Sequence, residues 1–262
     1  MDSFEKIDTP RGTICAKTWE GAGKGRPAVV IAHGFASHID KPGMGRLVDL
    51  FKSSGFGGGC FNFHGHGKGE SKSYGRLEKS TISLGVQDIC DVWGYVKRKL
   101  RPEKMVFYGS SFGASCGLWA ALRGGISPDF MILHAPVTYQ RMKPYKGLLK
   151  VFSHLAPLFS KISPKLAALN PHMVGDVTAS YLDTPVMAKD LQGCGVFMFT
   201  DSQDAVSQGK ELAKWRKGAK DCQLAVFEGP HNKLGHYAQK PKEIHDIRNS
   251  VAIMAALSHL GR

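Results

Sequence analysis

A serine with a glycine two residues to either side is the first feature of this sequence that could do chemistry. The stretch "GSSFGASCG" at 109–117 contains the pattern Gly-x-Ser-x-Gly twice, centred on Ser111 and on Ser115. This pattern is typical of a serine nucleophile held on a sharp turn between a strand and a helix. Such a hydroxyl attacks a carbonyl carbon when a neighbouring base takes its proton. The motif therefore indicates acyl transfer, provided that a base and an acid follow it.

The position of each serine relative to the preceding strand separates the two candidates. A strand-like run covers 104–108, so Ser111 falls at the turn, and Gly109 and Gly113 would let the strand and the helix cross closely. Ser115 comes one helical turn later, where its hydroxyl is expected to bond the carbonyl of the preceding turn. A chance match is the alternative, since the chain has 31 glycines. We predict that Ser111 is the nucleophile.

Acyl transfer also needs two backbone N–H groups aimed at the developing oxyanion. One is expected from Phe112, which follows the nucleophile and begins a helix. The other is expected from Phe35, in the loop after the strand-like run that ends in "VVIAHGF". His33 in this run could be a ligand or a base, but beside Gly34 at a strand end it is interpreted as a loop-shaping residue.

The elements that must position these residues alternate along the chain. Several strand-like runs are continuously apolar, as in parallel strands buried on both faces. The alternation predicts an α/β fold with a mostly parallel central sheet flanked by helices. The strand-like runs are 13–19, 28–33, 59–63, 104–108, 130–134, 196–200 and 223–227, and the helical patterns are 45–54, 80–100, 112–123, 207–217 and 242–260.

One segment, 137–184, has no strand-like run and reads as short amphipathic helices interrupted by prolines. It predicts a helical cap inserted into a core formed by 1–136 and 185–262, placed over the strand ends where sites on open α/β sheets lie. Its apolar residues, Phe152 and Phe159 among them, are expected to cover an acyl-binding pocket while its lysines face water. Ordinary packing helices are the alternative interpretation.

A second polar stretch, "FNFHGHGKGES" at 61–71, contains two histidines at alternate positions. His64 and His66 could bind a metal together, but no cysteine or carboxylate is spaced to complete the site. A phosphate loop is disfavoured too, because the order Gly-Lys-Ser/Thr is absent. A glycine-rich turn leaving a strand explains the stretch, and neither a metal nor an organic cofactor is expected.

Composition narrows the class of protein. The formal net charge is +13, from 35 Lys and Arg against 22 Asp and Glu, but the basic residues are spread along the chain. Nucleic-acid binding is therefore disfavoured, although it remains the rival for a basic protein. The sequence has no apolar run long enough for a stable membrane anchor, and "MDSFEKIDTPRG" lacks a secretory signal, so a cytoplasmic location is expected. The six scattered cysteines are expected to be reduced and buried.

Taken together, five motifs resemble one known group of proteins. The chain is similar to α/β-hydrolase-fold serine hydrolases, in the group of esterases, monoacylglycerol-lipase-like and cinnamoyl-esterase-like enzymes. The resemblance covers nearly the whole chain in order, with one departure: Asn62-Phe63-His64 stands where the group has Asp-x-Arg, a position that is mainly structural. The motifs are H-G-F at 33–35, "FNFHGHGKGES" at 61–71, "YGSSFGA" at 108–114, "FTDSQDAV" at 199–206 and "EGPH" at 228–231.

The resemblance implies a triad in the order serine, acid, histidine. Asp204 matches the position of the acid after the apolar run "VFMF", and Asp201, the alternative, is interpreted as a turn residue. His231 follows the last strand-like run by a Gly-Pro turn, as the base does in the group. His236 is its competitor.

The resemblance further implies the hydrolysis of small-molecule carboxylic esters through an acyl-enzyme. A thioesterase, an amidase or peptidase and a carbon–carbon bond hydrolase use the same triad, and fold alone does not choose among them. A hydrolase-fold protein that only binds a ligand is the alternative outside the enzymes.

Overall fold

In the computed structural model of the chain, the described residues form one sheet of eight strands with helices on both faces. The structure describes residues 4–21, 25–137, 140–149, 151, 170–181, 190–191, 193–202, 204, 207–217, 219, 221–227 and 242–261. The strands are β1 (Glu5–Thr9), β2 (Gly12–Trp19), β3 (Ala28–Ala32), β4 (Gly57–Phe61), β5 (Met105–Ser110), β6 (Phe130–His134), β7 (Gly195–Asp201) and β8 (Cys222–Phe227).

The strand order is β1-β2-β4-β3-β5-β6-β7-β8. The last six strands in this order, β4-β3-β5-β6-β7-β8, run parallel to one another. Among the described residues, the pairings of β1 with β2 and of β2 with β4 are the only antiparallel ones. The prediction of a mostly parallel α/β fold is confirmed. Because parallel strands end at the same edge of a sheet, the loops after β3, β5, β7 and β8 meet there.

The described helices are α1 (Pro42–Ser53), α2 (Ile82–Leu100), α3 (Phe112–Leu122), α4 (Pro171–Ser180), α5 (Gly209–Arg216) and α6 (Lys242–His259), with short 3-10 helices at Gly69–Ser71, Leu77–Lys79 and Gln140–Tyr145. Two apolar clusters fill the layers between helices and sheet. One includes side chains of α2, α3, α4 and α5, and the other includes side chains of α1 and α6 on the opposite face. The sheet is therefore covered on both faces, which explains why strands β3 to β6 are apolar almost throughout.

Part of the predicted cap packs on the core. Met173 and Val177 of α4 are buried in the cluster under α2, and Asp176 accepts the Ser83 N–H near the start of α2 at 2.7 Å. The described residues of 137–184 contain no strand, and Leu148, before the gap, is exposed. Phe152 and Phe159 lie outside the described residues, so the cap boundaries stay a prediction.

All six cysteines are free thiols, as the sequence predicted; five are buried, whereas Cys90 is only half-buried. Burial raises the pKa of Cys60 to about 12, which keeps that thiol protonated at neutral pH. Among the described helices, none combines the length and the apolar composition needed to cross a membrane.

Candidate active site

The turn between β5 and α3 holds Ser111 in a strained conformation. Strand β5 continues to Ser110, two residues beyond its predicted end at Tyr108, and Ser110 pairs with His134, so Ser111 is the first residue past the strand. Its φ is 51° and its ψ is −112°, and its N–H donates to the carbonyl of His134 at 2.8 Å. A serine at positive φ is uncommon, and such strain of about 1–3 kcal/mol collects at functional sites.

The glycines on either side of Ser111 leave no space for a side chain. A Cβ on Gly109 would lie 2.7 Å from the Ala114 nitrogen, and one on Gly113 would lie 2.6 Å from the His33 carbonyl oxygen. Backbone occupies both places, so α3 crosses β3 and β5 at the closest approach that the chain allows. The prediction that these two glycines let the strand and the helix cross closely is confirmed.

The close crossing predicts that Gly113→Ala destabilises the fold by about 1–3 kcal/mol, because the backbone of β3 must move to admit the methyl group. Thermal unfolding measures this change. Gly175→Ala is the matched control: Gly175 also lies in a helix, α4, and a Cβ there would meet nothing within 4 Å. The control should be neutral or stabilising by up to about 1 kcal/mol. Equal melting temperatures for the two variants would contradict the prediction.

Ser115, the other serine in the doubled motif, has its hydroxyl engaged by backbone. The group is buried, donates to the Val137 carbonyl at 2.9 Å, lies 3.2 Å from the Ser111 carbonyl and accepts the Val137 N–H at 2.9 Å. The expected bond to the preceding turn is confirmed. Ser115 therefore fastens the segment after β6 to α3.

The loop after β3 passes directly beside Ser111. A Cβ on Gly34 would lie 3.5 Å from the Ser111 Cβ. The Gly34 carbonyl accepts from His33 Nδ1–H at 2.8 Å and from the Ser37 N–H at 3.2 Å. Because this carbonyl and the Phe35 N–H belong to one planar trans peptide, fixing the first also orients the second. His33 thus shapes the loop, as the sequence indicated.

Buried aromatic and imidazole rings surround the first part of this loop. Burial lowers the pKa of His33 well below its usual range, and its Nε2 has no hydrogen-bond partner among the described residues. The rings of Phe35 and Phe112 meet edge to face at 5.5 Å. Phe112 begins α3, so its N–H has no acceptor within the helix and lies at the positive end of the helix dipole. The geometry suits a developing anion between Phe35 and Phe112.

One carboxylate ends β7 and a second follows it, and the structure shows different contacts for the two. Asp201, at the end of β7, forms an ion pair with Arg248 of α6, and both side chains are almost fully buried. Asp204 is also buried, and its Oδ1 accepts the Ser207 N–H at 2.7 Å. The guanidinium of Arg248 thus donates a hydrogen bond to Oδ1 of Asp201.

The proposed base lies outside the described residues. His231 and His236 both fall in the undescribed segment 228–241. The sheet register pairs Phe227, the last residue of β8, with Asp201. Strand β8 therefore ends at the level where the loop of Asp204 begins.

A family model described as serine aminopeptidase, S33, matches residues 23–193, more than half of the chain. The chain belongs to this family of hydrolases. No curated protein sequence matches the chain.

Solved structures share the α/β-hydrolase fold of this S33 family member. A highly thermostable carboxyl esterase from Bacillus coagulans in complex with glycerol has a TM-score of 0.72 at 15% identity, over 96% of each chain. Est1E from Butyrivibrio proteoclasticus, with ferulic acid bound, has a TM-score of 0.70 at 16% identity, over 98% of this chain and 100% of that one. Alpha/beta hydrolase domain-containing protein 10 from mouse has a TM-score of 0.66 at 15% identity, over 98% of this chain and 99% of that one. At such identities the likeness shows the fold alone.

The contacts of Asn62 account for the first residue of the departure from Asp-x-Arg. It is fully buried, its Oδ1 accepts the Ile39 N–H at 2.9 Å, and its Nδ2 donates to the Ser71 carbonyl at 2.7 Å. A carboxylate could accept the first bond but could not donate the second. The side chain is therefore structural in this protein and ties the loop after β3 to the glycine-rich turn after β4.

His66 is the residue near the site whose contacts the sequence did not indicate. It was weighed as a metal ligand with His64, but both of its ring nitrogens bond to backbone: Nδ1–H to the His64 carbonyl at 2.8 Å, and Nε2 to the Ala36 N–H at 3.1 Å. The role of His66 could not be read from the sequence, because its bond to Ala36 joins residues thirty positions apart.

The different partners of the two carboxylates make a paired test. We expect Asp204→Asn to lower turnover by about 10^4, because an amide in the acid position favours the wrong imidazole tautomer. The amide oxygen can still accept the Ser207 N–H, so the fold should survive. Asp201→Asn should spare most turnover and instead destabilise the protein by on the order of 3 kcal/mol, since Arg248 stays buried without its counter-charge. Steady-state kinetics and thermal unfolding of both variants check this, and a larger loss of turnover at Asp201 would reverse the assignment.

Proposed function

We propose that this protein hydrolyses carboxylic esters of small molecules with Ser111 as the nucleophile, His231 as the base and Asp204 as the acid that orients the imidazole. The observation that carries the proposal is the strained φ of Ser111 at a strand-to-helix turn where glycine is required on both sides. Nothing in ordinary packing calls for a serine in that conformation, whereas a nucleophile elbow does.

The reaction follows from this arrangement in two halves. His231 takes the proton of Ser111 while its Oγ attacks the ester carbonyl, and the amides of Phe35 and Phe112 stabilise the oxyanion. The imidazolium then protonates the leaving alkoxide, and the acyl group stays on Ser111. In the second half, His231 activates a water that attacks the acyl-enzyme and regenerates the serine.

Esters are proposed as substrates because one solved structure that shares the fold is named a carboxyl esterase. A second one, Est1E, holds ferulic acid, a carboxylic acid of the kind that ester hydrolysis releases. We also propose that the segment 137–184 is a cap over the acyl group. The exposed apolar side chains Tyr145, Leu148 and Val151 in its described part are consistent with a surface that meets an acyl chain.

An aminopeptidase is the second candidate, favoured by the printed description of the matching family model. The same acyl-enzyme forms in that case, but the leaving group is an amine that His231 must protonate. Proton transfer to the leaving group is then a larger part of the barrier than with an activated ester.

The test compares the two substrate classes on one enzyme preparation. p-Nitrophenyl esters from acetate to laurate and a set of aminoacyl p-nitroanilides are assayed with the wild-type protein and with Ser111→Ala. The proposal expects Ser111-dependent turnover of the esters, with a chain-length preference set by the cap. Ser111-dependent turnover confined to the anilides would replace it by the aminopeptidase, and no Ser111-dependent turnover of either class would refute both.

A further inference from the structure

The turn that carries the Phe35 amide has a backbone conformation that is unfavourable by itself. The Ser37 N–H donates to the Gly34 carbonyl at 3.2 Å, and Ala36 has a φ of 55° while Phe35 keeps a negative φ. These features define a type II turn, in which the third residue is usually glycine. An alanine there is strained, so an outside contact is needed to keep the turn in this form.

That contact comes from the glycine-rich turn after β4. The Ala36 N–H donates to Nε2 of His66 at 3.1 Å, and Nδ1–H of the same ring donates to the His64 carbonyl at 2.8 Å. A carbonyl only accepts, so Nδ1 carries the proton and Nε2 keeps its lone pair. The ring is almost fully buried, and this burial lowers the pKa of His66 to about 4, so the neutral form that can accept at Nε2 is the one present.

The bond selects between two forms of the turn. Type I and type II turns differ in the orientation of their central peptide, here Phe35–Ala36. In the type I orientation the Phe35 carbonyl oxygen would face the lone pair of His66 Nε2, which is repulsive. The Phe35 ring also packs edge to face against His66 at 5.3 Å, so the same imidazole fixes both the backbone and the side chain of the turn.

We infer that His66 is a positioning residue for the oxyanion hole: by holding Ala36 it keeps the turn Gly34–Ser37 closed, and the Ser37 N–H of the closed turn holds the Gly34 carbonyl and so orients the Phe35 amide of the same peptide. The inference rests on the proposed function, because it assigns a purpose to the amide that the proposal places in the oxyanion hole. The structural part, the bond that holds the turn, is testable without any substrate.

Two substitutions at His66 test its two hydrogen bonds separately. In His66→Gln, the amide oxygen can take the place of Nε2 and accept the Ala36 N–H. In His66→Asn, the shorter amide overlaps Nδ1, keeps the bond to His64 and cannot reach Ala36. His259→Gln is the control, because His259 lies against Phe130 at the opposite end of the sheet.

The first measurement is hydrogen exchange of a peptide spanning 33–39 in the folded proteins. His66→Asn should speed the exchange of the Ala36 amide at least about 10-fold, while His66→Gln and His259→Gln should stay near the wild-type rate. Unchanged exchange in His66→Asn would overturn the inference, whether or not the protein cleaves esters.

The second measurement is steady-state hydrolysis of a short p-nitrophenyl ester. His66→Asn should lower kcat by about 10- to 100-fold, part of the loss that follows removal of an oxyanion donor, with KM within about two-fold of wild type. His66→Gln should recover most of the loss. Equal kcat in His66→Asn and wild type, or equal losses in both His66 variants, would overturn the inference while wild-type turnover upholds the proposed function. A wild type without ester turnover would refute the proposed function, and with it the purpose assigned to the turn.

Discussion

Replacing Ser111 with alanine is expected to abolish hydrolysis, with a loss of about 10^6 in turnover, and to leave the fold intact. The side chain loses only its hydroxyl, while the Cβ and the backbone bond from Ser111 N–H to the His134 carbonyl remain. Turnover of a short ester and the thermal unfolding midpoint are the two measurements, because the loss must appear in the first and not in the second.

Ser115→Ala is the matched control for that experiment. Its hydroxyl lies in the same motif but is bonded to the backbone of Val137. Its removal takes away the partner of two part-buried backbone groups of Val137 and should cost about 1–3 kcal/mol of stability with most turnover kept. An inactive Ser115→Ala beside an active Ser111→Ala would show that the elbow has been placed at the wrong serine.

His231→Ala is expected to have an effect as large as that of Ser111→Ala, because the serine hydroxyl is a weak nucleophile without its base. Wild-type turnover should rise with pH on the acid side of neutrality, as the base loses its proton. His236→Ala should keep this profile and change mainly the KM. The measurement is a pH–rate profile of both variants on a short ester.

His66 and His33, the two buried histidines beside the Phe35 turn, cannot account for such a profile. Burial lowers the pKa of His66 to about 4 and that of His33 well below its usual range, so both stay neutral across the range where the activity should rise. A His231→Ala protein with near-normal turnover and an unchanged midpoint would contradict the assignment, and loss of the profile in His236→Ala would transfer the role to His236.

Much of the fold could be predicted because its strands are buried on both faces. Strand β6 was predicted with its observed bounds, since all five of its residues are buried and apolar or lie at the sheet edge. Strand β1 was missed because it pairs at the edge of the sheet and buries only Ile7. The end of β5 was placed at Tyr108 instead of Ser110, because the last two residues are small and polar and pair through backbone alone.

The site was predictable where residues close in sequence define it, and less so where distant ones do. The turn at Ser111 depends on two glycines within two positions, so its motif is visible in the sequence. The distinction between Asp201 and Asp204 as candidate acids depends on the ion pair of Asp201 with Arg248. The shape of the turn at Ala36 depends on its hydrogen bond to His66. No local pattern encodes such contacts, because the fold alone brings these residues together.

The central claim, that Ser111 is an activated nucleophile, is tested most directly by the site of covalent modification. The wild-type protein is treated with a fluorophosphonate, digested, and mapped by mass spectrometry, since this reagent phosphonylates serines that have a functioning base and oxyanion hole. The account predicts one stoichiometric adduct on Ser111, lost in His231→Ala. An unmodified protein, or an adduct on Ser115, would contradict it.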